Sequence, residues 1–244
     1  MKTSNKILLI ATLIILSYLS FFNYGLTAEY KKGEYKNRFY KMTQLKMGNF
    51  TSIENNASNL YVRIEQGDKF EIWFDNELKD KVMFSKKNNQ LIVDFKKKND
   101  EDDYFRTADL IIICPKLENF TAKRLYLVEQ TNAKKESYYI PQGEITISGF
   151  NQDSFNLLVN SYNEVTLESN KFKYLNAIVG NSKSSKGTFN IIKNNEINNM
   201  ALDVKGKSIV NLKDAIINKT QFQLSDSADV KLSGRALKLL KANK

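Results

Sequence analysis

Glu144 and Glu164 stand twenty residues apart, each just before an apolar pair, and Asp226 and Asp229 share one short polar run. Two carboxylates facing each other across a cleft, roughly 5–10 Å apart, are what glycoside hydrolysis needs. A base beside a cation would instead suit proton abstraction from a uronate. The run Asn-Asp-Glu-Asp-Asp at 99–103 has the charge to hold calcium, but it lacks the glycine and the distal bidentate acid of a calcium loop, so it reads as solvated. Histidine is absent and Cys114 is the only cysteine. Those two facts exclude Ser-His-Asp and Cys-His nucleophiles, imidazole metal sites, thiolate zinc clusters and an intramolecular disulfide. Cys114 lies in the apolar run LIIICP at 110–115 and reads as a small buried hydrophobe. No catalytic residue, metal ligand or cofactor site emerges from this inventory.

The acids are laid out by a repeat. LDVKGKSIVNL at 202–212 and FQLSDSADVKL at 222–232 share almost nothing but the spacing of their apolar residues. Pairs beginning at Ile145, Val165, Phe189, Val210 and Val230 mark five successive turns, and Leu125 with Leu127 marks a sixth. A fixed period of about twenty residues indicates a solenoid. Apolar residues two apart point the same way on a strand, so each turn aims two pairs inward and stacked turns bury one continuous core. A leucine-rich repeat would need a consensus these turns lack, and an antiparallel sandwich would not hold the register. The fold expected is therefore all-β, a single-stranded parallel β-helix with rungs of about twenty residues, preceded by an N-terminal membrane-spanning helix. Asn160, Asn170, Asn194, Asn195 and Asn218 fall where corners are expected and suit turn backbone. Along the acid positions, Ile209 interrupts the series, which favours a charged rung exterior over an aligned active site. One turn carries four extra residues, Lys183, Ser184, Ser185 and Lys186. A loop that breaks a regular scaffold is where contacts concentrate, so this tetrapeptide is the candidate binding loop.

Ahead of the repeat, Leu60-Val62-Ile64, Phe70-Ile72-Phe74, Val82-Phe84 and Leu91-Val93-Phe95 alternate with polar residues, with KKNNQ at 86–90 as a turn. Such alternation predicts half-buried strands. Residues 7–22, ILLIATLIILSYLSFF, are uncharged, and the apolar segment reaches twenty residues by Leu26, about 30 Å as a helix. It reads as a retained signal anchor, the alternative being cleavage near 26–28. The domain plan expected is an anchor over 1–28, a juxtamembrane spacer over 29–48, a β-helical domain over 49–235 and a C-terminal cap over 236–244. Within the β-helical domain, leading strands occupy 49–115 and regular rungs 116–235. Lys2 and Lys6 favour a cytoplasmic N-terminus, against which Lys31, Lys32, Lys36 and Arg38 pull. An apolar leader ahead of a large β-rich domain places the bulk of the chain outside the cytoplasm, in the periplasm or at the cell surface.

The order of these features resembles the head GIN domain family of putative bacterial auto-transporter adhesins, a domain of unknown function. The likeness runs over about 48–235, through FTSIENNASNLYVRIEQGDKFEIWFD at 50–75, QLIVDF at 90–95 and LIIICPKLENFTAK at 110–123, then the serial short strands. Only Ser148-Gly149 and Ser233-Gly234 keep the Ser-Gly corners of that family. The resemblance implies a β-helical envelope protein and transfers no catalytic residue. The reading is a non-enzymatic, membrane-tethered, extracytoplasmic binding or structural module, adhesin-like, contacting envelope polysaccharide or protein. A polysaccharide-active lyase or hydrolase is the alternative. The net charge of +10 is scattered among acids rather than gathered in a basic block, so no nucleic-acid partner is expected.

Overall fold

Residues 7–26 have no means of burying themselves in their own chain, and they do not. In the computed structural model, which describes residues 2–57, 60–96, 109–123, 143–160, 162–183 and 185–240, they form part of one helix, α1 (Thr3–Lys32). None of its residues is buried, and it is long and apolar enough to cross a membrane. The hydroxyls of Thr12 and Ser20 donate back to the carbonyls of Leu8 and Leu16, at 2.9 and 2.8 Å, which satisfies them without water. Gly33 ends the helix at φ 70°, its N–H donating to the Tyr30 carbonyl.

The chain divides into two compact units, Met1–Met42 and Thr43–Lys244. The second is built from strands β1 (Met42–Leu45), β2 (Ser52–Asn55), β3 (Tyr61–Gln66), β4 (Glu71–Asp75), β5 (Val82–Lys87), β6 (Gln90–Phe95), β7 (Asp109–Cys114), β8 (Asn119–Ala122) and β9 (Gly143–Ser148). It continues with β10 (Asn151–Val159), β11 (Asn163–Glu168), β12 (Lys171–Val179), β13 (Thr188–Ile191), β14 (Glu196–Val204), β15 (Ile209–Lys213), β16 (Ile216–Leu224) and β17 (Asp229–Ser233). These strands make a nine-stranded sheet in the order β1-β4-β7-β3-β9-β11-β13-β15-β17 and an eight-stranded sheet in the order β16-β14-β12-β10-β8-β2-β6-β5.

This arrangement corrects the expected parallel β-helix. The molecule is two mixed, mostly parallel sheets and not a closed solenoid. Two features overturn the expectation. Each turn of the repeat supplies only two strands, one to each sheet, so no third wall closes a tube. In the first half the climb is broken: β5 pairs antiparallel with β6, β4 pairs antiparallel with β7, and β7 inserts between β4 and β3. The turn between β5 and β6 is Asn88-Asn89, with Asn88 at φ 53°, and a two-residue turn of this kind makes a hairpin. Alternation alone is the same for parallel and antiparallel strands, which is why the leading segment misleads.

The twenty-residue spacing nonetheless sets the register. Ile145, Val165, Phe189, Val210 and Val230 are direct neighbours across successive strands. Inner ladders from both sheets, such as Ile147-Leu167-Ile191-Leu212 and Leu157-Ala177-Leu202, join one buried cluster. The smallest residue of the second ladder, Ala177, belongs to the same turn as the bulky Phe189, which balances volume across the core. A left-handed residue follows nearly every strand on one side: Gly149, Ser169, Asn194, Asp214 and Gly234 all have positive φ. Of the asparagines expected at corners, Asn194 does take that backbone, while Asn218 lies within β16 and donates to Asn198 at 3.1 Å. The pair Leu125-Leu127, the acidic run 99–103 and Ser184 lie outside the described residues.

Candidate functional site

β8 spans four residues and β10 nine, and β8 pairs only with Asn156–Val159 of β10. Among the described residues, the first five of β10 therefore have no strand beside them on that side. Pro115–Glu118, the segment joining β7 to β8, passes there instead and is held by two glutamines. The Gln152 side chain accepts from the Leu117 N–H at 3.1 Å and donates to the Leu117 carbonyl. Gln66 accepts from the Asn151 N–H at 3.2 Å and donates to the Pro115 carbonyl at 3.1 Å. Between this segment and the starts of β10, β12 and β14 lies a cavity of about 610 Å³.

The lining is polar and comes from successive strands. Asn151, Lys171 and Glu196 are register neighbours, and Lys171 pairs with Glu196 at 3.2 Å. Asp153, Lys173 and Asn198 stand two residues further along the same strands. Lys116, at the opposite wall, pairs with Glu118 at 2.6 Å. That ammonium, together with the Thr51 hydroxyl at 2.9 Å, holds the Glu118 carboxyl below its ordinary range. The groove thus presents amides, carboxylates and ammonium groups on the exposed face of the eight-stranded sheet, with the buried Phe172 among its lining residues. Donors and acceptors alternate over a few ångströms, which is the chemistry that matches a polyhydroxylated ligand.

The residues singled out from the sequence fall elsewhere. Lys183 and Lys186 are exposed in the turn between β12 and β13, at the opposite end of β12 from the groove, and Ser185 is buried. Its hydroxyl accepts from the N–H groups of Asn181 and Ser182, both at 3.0 Å, and donates to the Asn181 side chain at 2.9 Å. Gly206 of the next turn packs beneath, at φ 65°, where an added Cβ would meet the Ser182 and Ser185 carbonyl oxygens at 2.7 Å. Gly206→Ala is therefore expected to cost about 2 kcal/mol, read as a lower midpoint in urea with an unchanged slope.

Glu144 and Glu164 are brought together as neighbours on β9 and β11. They lie on a sheet face and not in a cleft, and Glu164 is engaged by the Asn190 side chain at 2.7 Å. The next positions of that ladder are Thr188, Ile209 and Asp229. Among the described residues no group of three Cys, Asp or Glu side chains is placed to hold a metal ion. Sequence reasoning missed the groove because it arises from unequal strand lengths; its one visible trace is Gln152 and Asp153 interrupting the approach to Phe155.

Fold and groove together define an all-β protein of two mostly parallel sheets, with an N-terminal helix able to cross a membrane and a polar groove at the strand starts. No protein-family model matches the sequence, and no curated protein matches it either. Solved structures resemble it at low identity. A putative adhesin from Bacteroides fragilis is 13% identical, with 78% of this chain and 95% of that chain covered and a TM-score of 0.49. A putative adhesin from Parabacteroides merdae is 13% identical over 78% and 95%, with a TM-score of 0.44. A putative lipid binding protein from Parabacteroides distasonis is 11% identical over 79% and 94%, with a TM-score of 0.42.

Proposed function

We propose that this chain is a non-enzymatic binding module, tethered by a retained α1, with its sheets outside the cytoplasm in an adhesin-like role. Its groove at the starts of β10, β12 and β14 grips envelope polysaccharide. The observation that carries the reading is the groove itself: polar side chains of both charges, presented at strand spacing beside the stretch of β10 that β8 leaves unpaired. A polymer of sugars offers hydroxyls that donate and accept along its length, and a row of Asn, Asp and Lys side chains meets them without a deep pocket. The exposed turn at Lys183 and Lys186 is a second, separate contact for the same extended ligand.

The full chain in detergent micelles, applied to an array of neutral and uronate-containing envelope polysaccharides, tests this. Binding to at least one class is expected, and Asp153→Ala with Lys173→Ala should weaken it at least about tenfold, roughly 1.4 kcal/mol. Both residues are exposed, so the melting temperature should be unchanged. Absence of binding to every class, or equal binding by the double variant, would overturn the groove as the contact. Turnover of the bound polysaccharide would establish the lyase or hydrolase alternative instead.

A further inference from the structure

β16 ends the eight-stranded sheet and β17 ends the nine-stranded one, so among the described residues neither has a strand beyond it. Phe222 and Leu224 continue the inner ladders of Leu202 and Val204. They are 37% and 48% exposed, against 2% and 0% for those predecessors. The 3₁₀ segment Gly234–Leu240 buries Ala236 and Leu239, and Ile217, near the start of β16, is buried as well. The half of β16 nearest the following turn stays open. That half reads Thr220-Gln221-Phe222-Gln223-Leu224, without one charge in a chain that is 26% charged. Natural edge strands are blunted by lysine, proline or bulges. β5, the other edge of the same sheet, carries Lys86 and Lys87.

We infer that this end is an interface for a second copy of the chain, related by a two-fold axis through Gln223 and Val230. Each of those residues is one step inside its strand from the turn joining β16 to β17, so a single axis passes through both. Antiparallel pairing about Gln223 sets Phe222 opposite the partner's Leu224, and the reverse, covering the open core end with no like charges opposed. Pairing about Val230 sets Asp229 opposite the partner's Lys231 in both directions, an attractive cross-strand pair. Both sheets then continue across the axis, and the closed two-fold leaves no further edge of this kind. Head-to-tail stacking would instead leave an open edge on every assembly. The interface shares no residue with the groove, so neither reading depends on the other.

Gln223→Cys in the full chain tests the axis. Residues opposed across an antiparallel pair have Cα atoms about 4.5–5.5 Å apart, within disulfide reach, and the native Cys114 is buried. Mild oxidation in detergent micelles is expected to convert most of the protein to a disulfide-linked dimer, whereas Asn198→Cys, on the exposed face of β14, should form no disulfide-linked dimer while still associating. Gln223→Lys, at an exposed position, should raise the dimer dissociation constant at least about tenfold by sedimentation, as edge lysines do. A monomer at high concentration would overturn the proposal. So would a dimer that survives Gln223→Lys without crosslinking at position 223, which would place association at α1 or another face. Capture of an extended peptide from another protein by a monomeric chain would overturn it too.

Discussion

Asn195→Ala should lower the unfolding free energy by about 3–4 kcal/mol, a fall of roughly 6–16 °C in melting temperature for a domain of this size. Asn195 is completely buried, and its side chain serves two turns at once. Its carbonyl accepts from the Asn170 backbone N–H and from the Asn170 amide, both at 3.1 Å. Its amide donates to the Leu167 carbonyl at 2.8 Å and to the Ile192 carbonyl. Asn170 repeats the pattern one turn earlier, accepting from the Phe150 N–H at 3.0 Å and donating to the Ile147 carbonyl at 2.9 Å. Truncating Asn195 leaves the Asn170 N–H buried without its acceptor and opens a void where the amide stood, so the cost exceeds that of an average hydrogen bond. Asn195→Asp keeps an acceptor but loses both donations and buries a charge. It should be worse at neutral pH and recover partly as acid neutralises the carboxyl, whose folded value burial would raise. Asn218→Ala is the control: its amide meets Asn198 on an exposed face, and a change within about 0.5 kcal/mol is expected. Calorimetry on the three variants separates a buried corner ladder from asparagines that are merely frequent.

That contrast shows where the residues speak and where they do not. The spacing of Ile145, Val165, Phe189, Val210 and Val230 is legible because a twenty-residue register forces identical side-chain directions, and all five are strand neighbours. The same spacing is silent on the number of walls. Two strands per turn and three strands around a tube bury the same apolar pairs, so the spacing does not distinguish an open pair of sheets from a closed helix. The first half has no period: Val62 pairs with Leu110 and with Ile145, at unequal separations in the chain. Asn170 and Asn195 stood out by type, but nothing local distinguishes a buried corner amide from an exposed rung amide such as Asn218. The distinction comes from the positive-φ residue just before each, Ser169 and Asn194, which turns the next side chain inward. The groove was less legible still, because no residue in it is unusual and only the mismatch of β8 with β10 creates it.

Cys114 should react with a neutral thiol reagent at pH 8 at least about a thousandfold more slowly than an exposed cysteine. The thiolate is the nucleophile, and burial pushes this thiol up to about 12, leaving roughly one part in ten thousand ionised at pH 8 where an ordinary thiol is about a quarter ionised. Access compounds the effect, since Cys114 is 0% exposed, so labelling must proceed through opening of the end of β7. Packing there is tight. The Gly67 N–H donates to the Cys114 carbonyl at 3.1 Å, and a Cβ on Gly67 would lie 2.5 Å from the Ile113 side chain. The labelling rate in graded urea therefore reports the opening of the strand that leads directly into Pro115 and the groove wall. The same thiol makes a pH prediction whose sign is fixed. Between the unfolded value near 8.5 and the folded value, the unfolded chain loses a proton that the folded chain keeps, so stability falls as pH rises, by roughly 2 kcal/mol at pH 10. Cys114→Ala should remove that part of the alkaline slope. Equal alkaline slopes for the two proteins, or rapid labelling without urea, would mean that the β7 end opens readily and that the groove wall it supports is not preorganised.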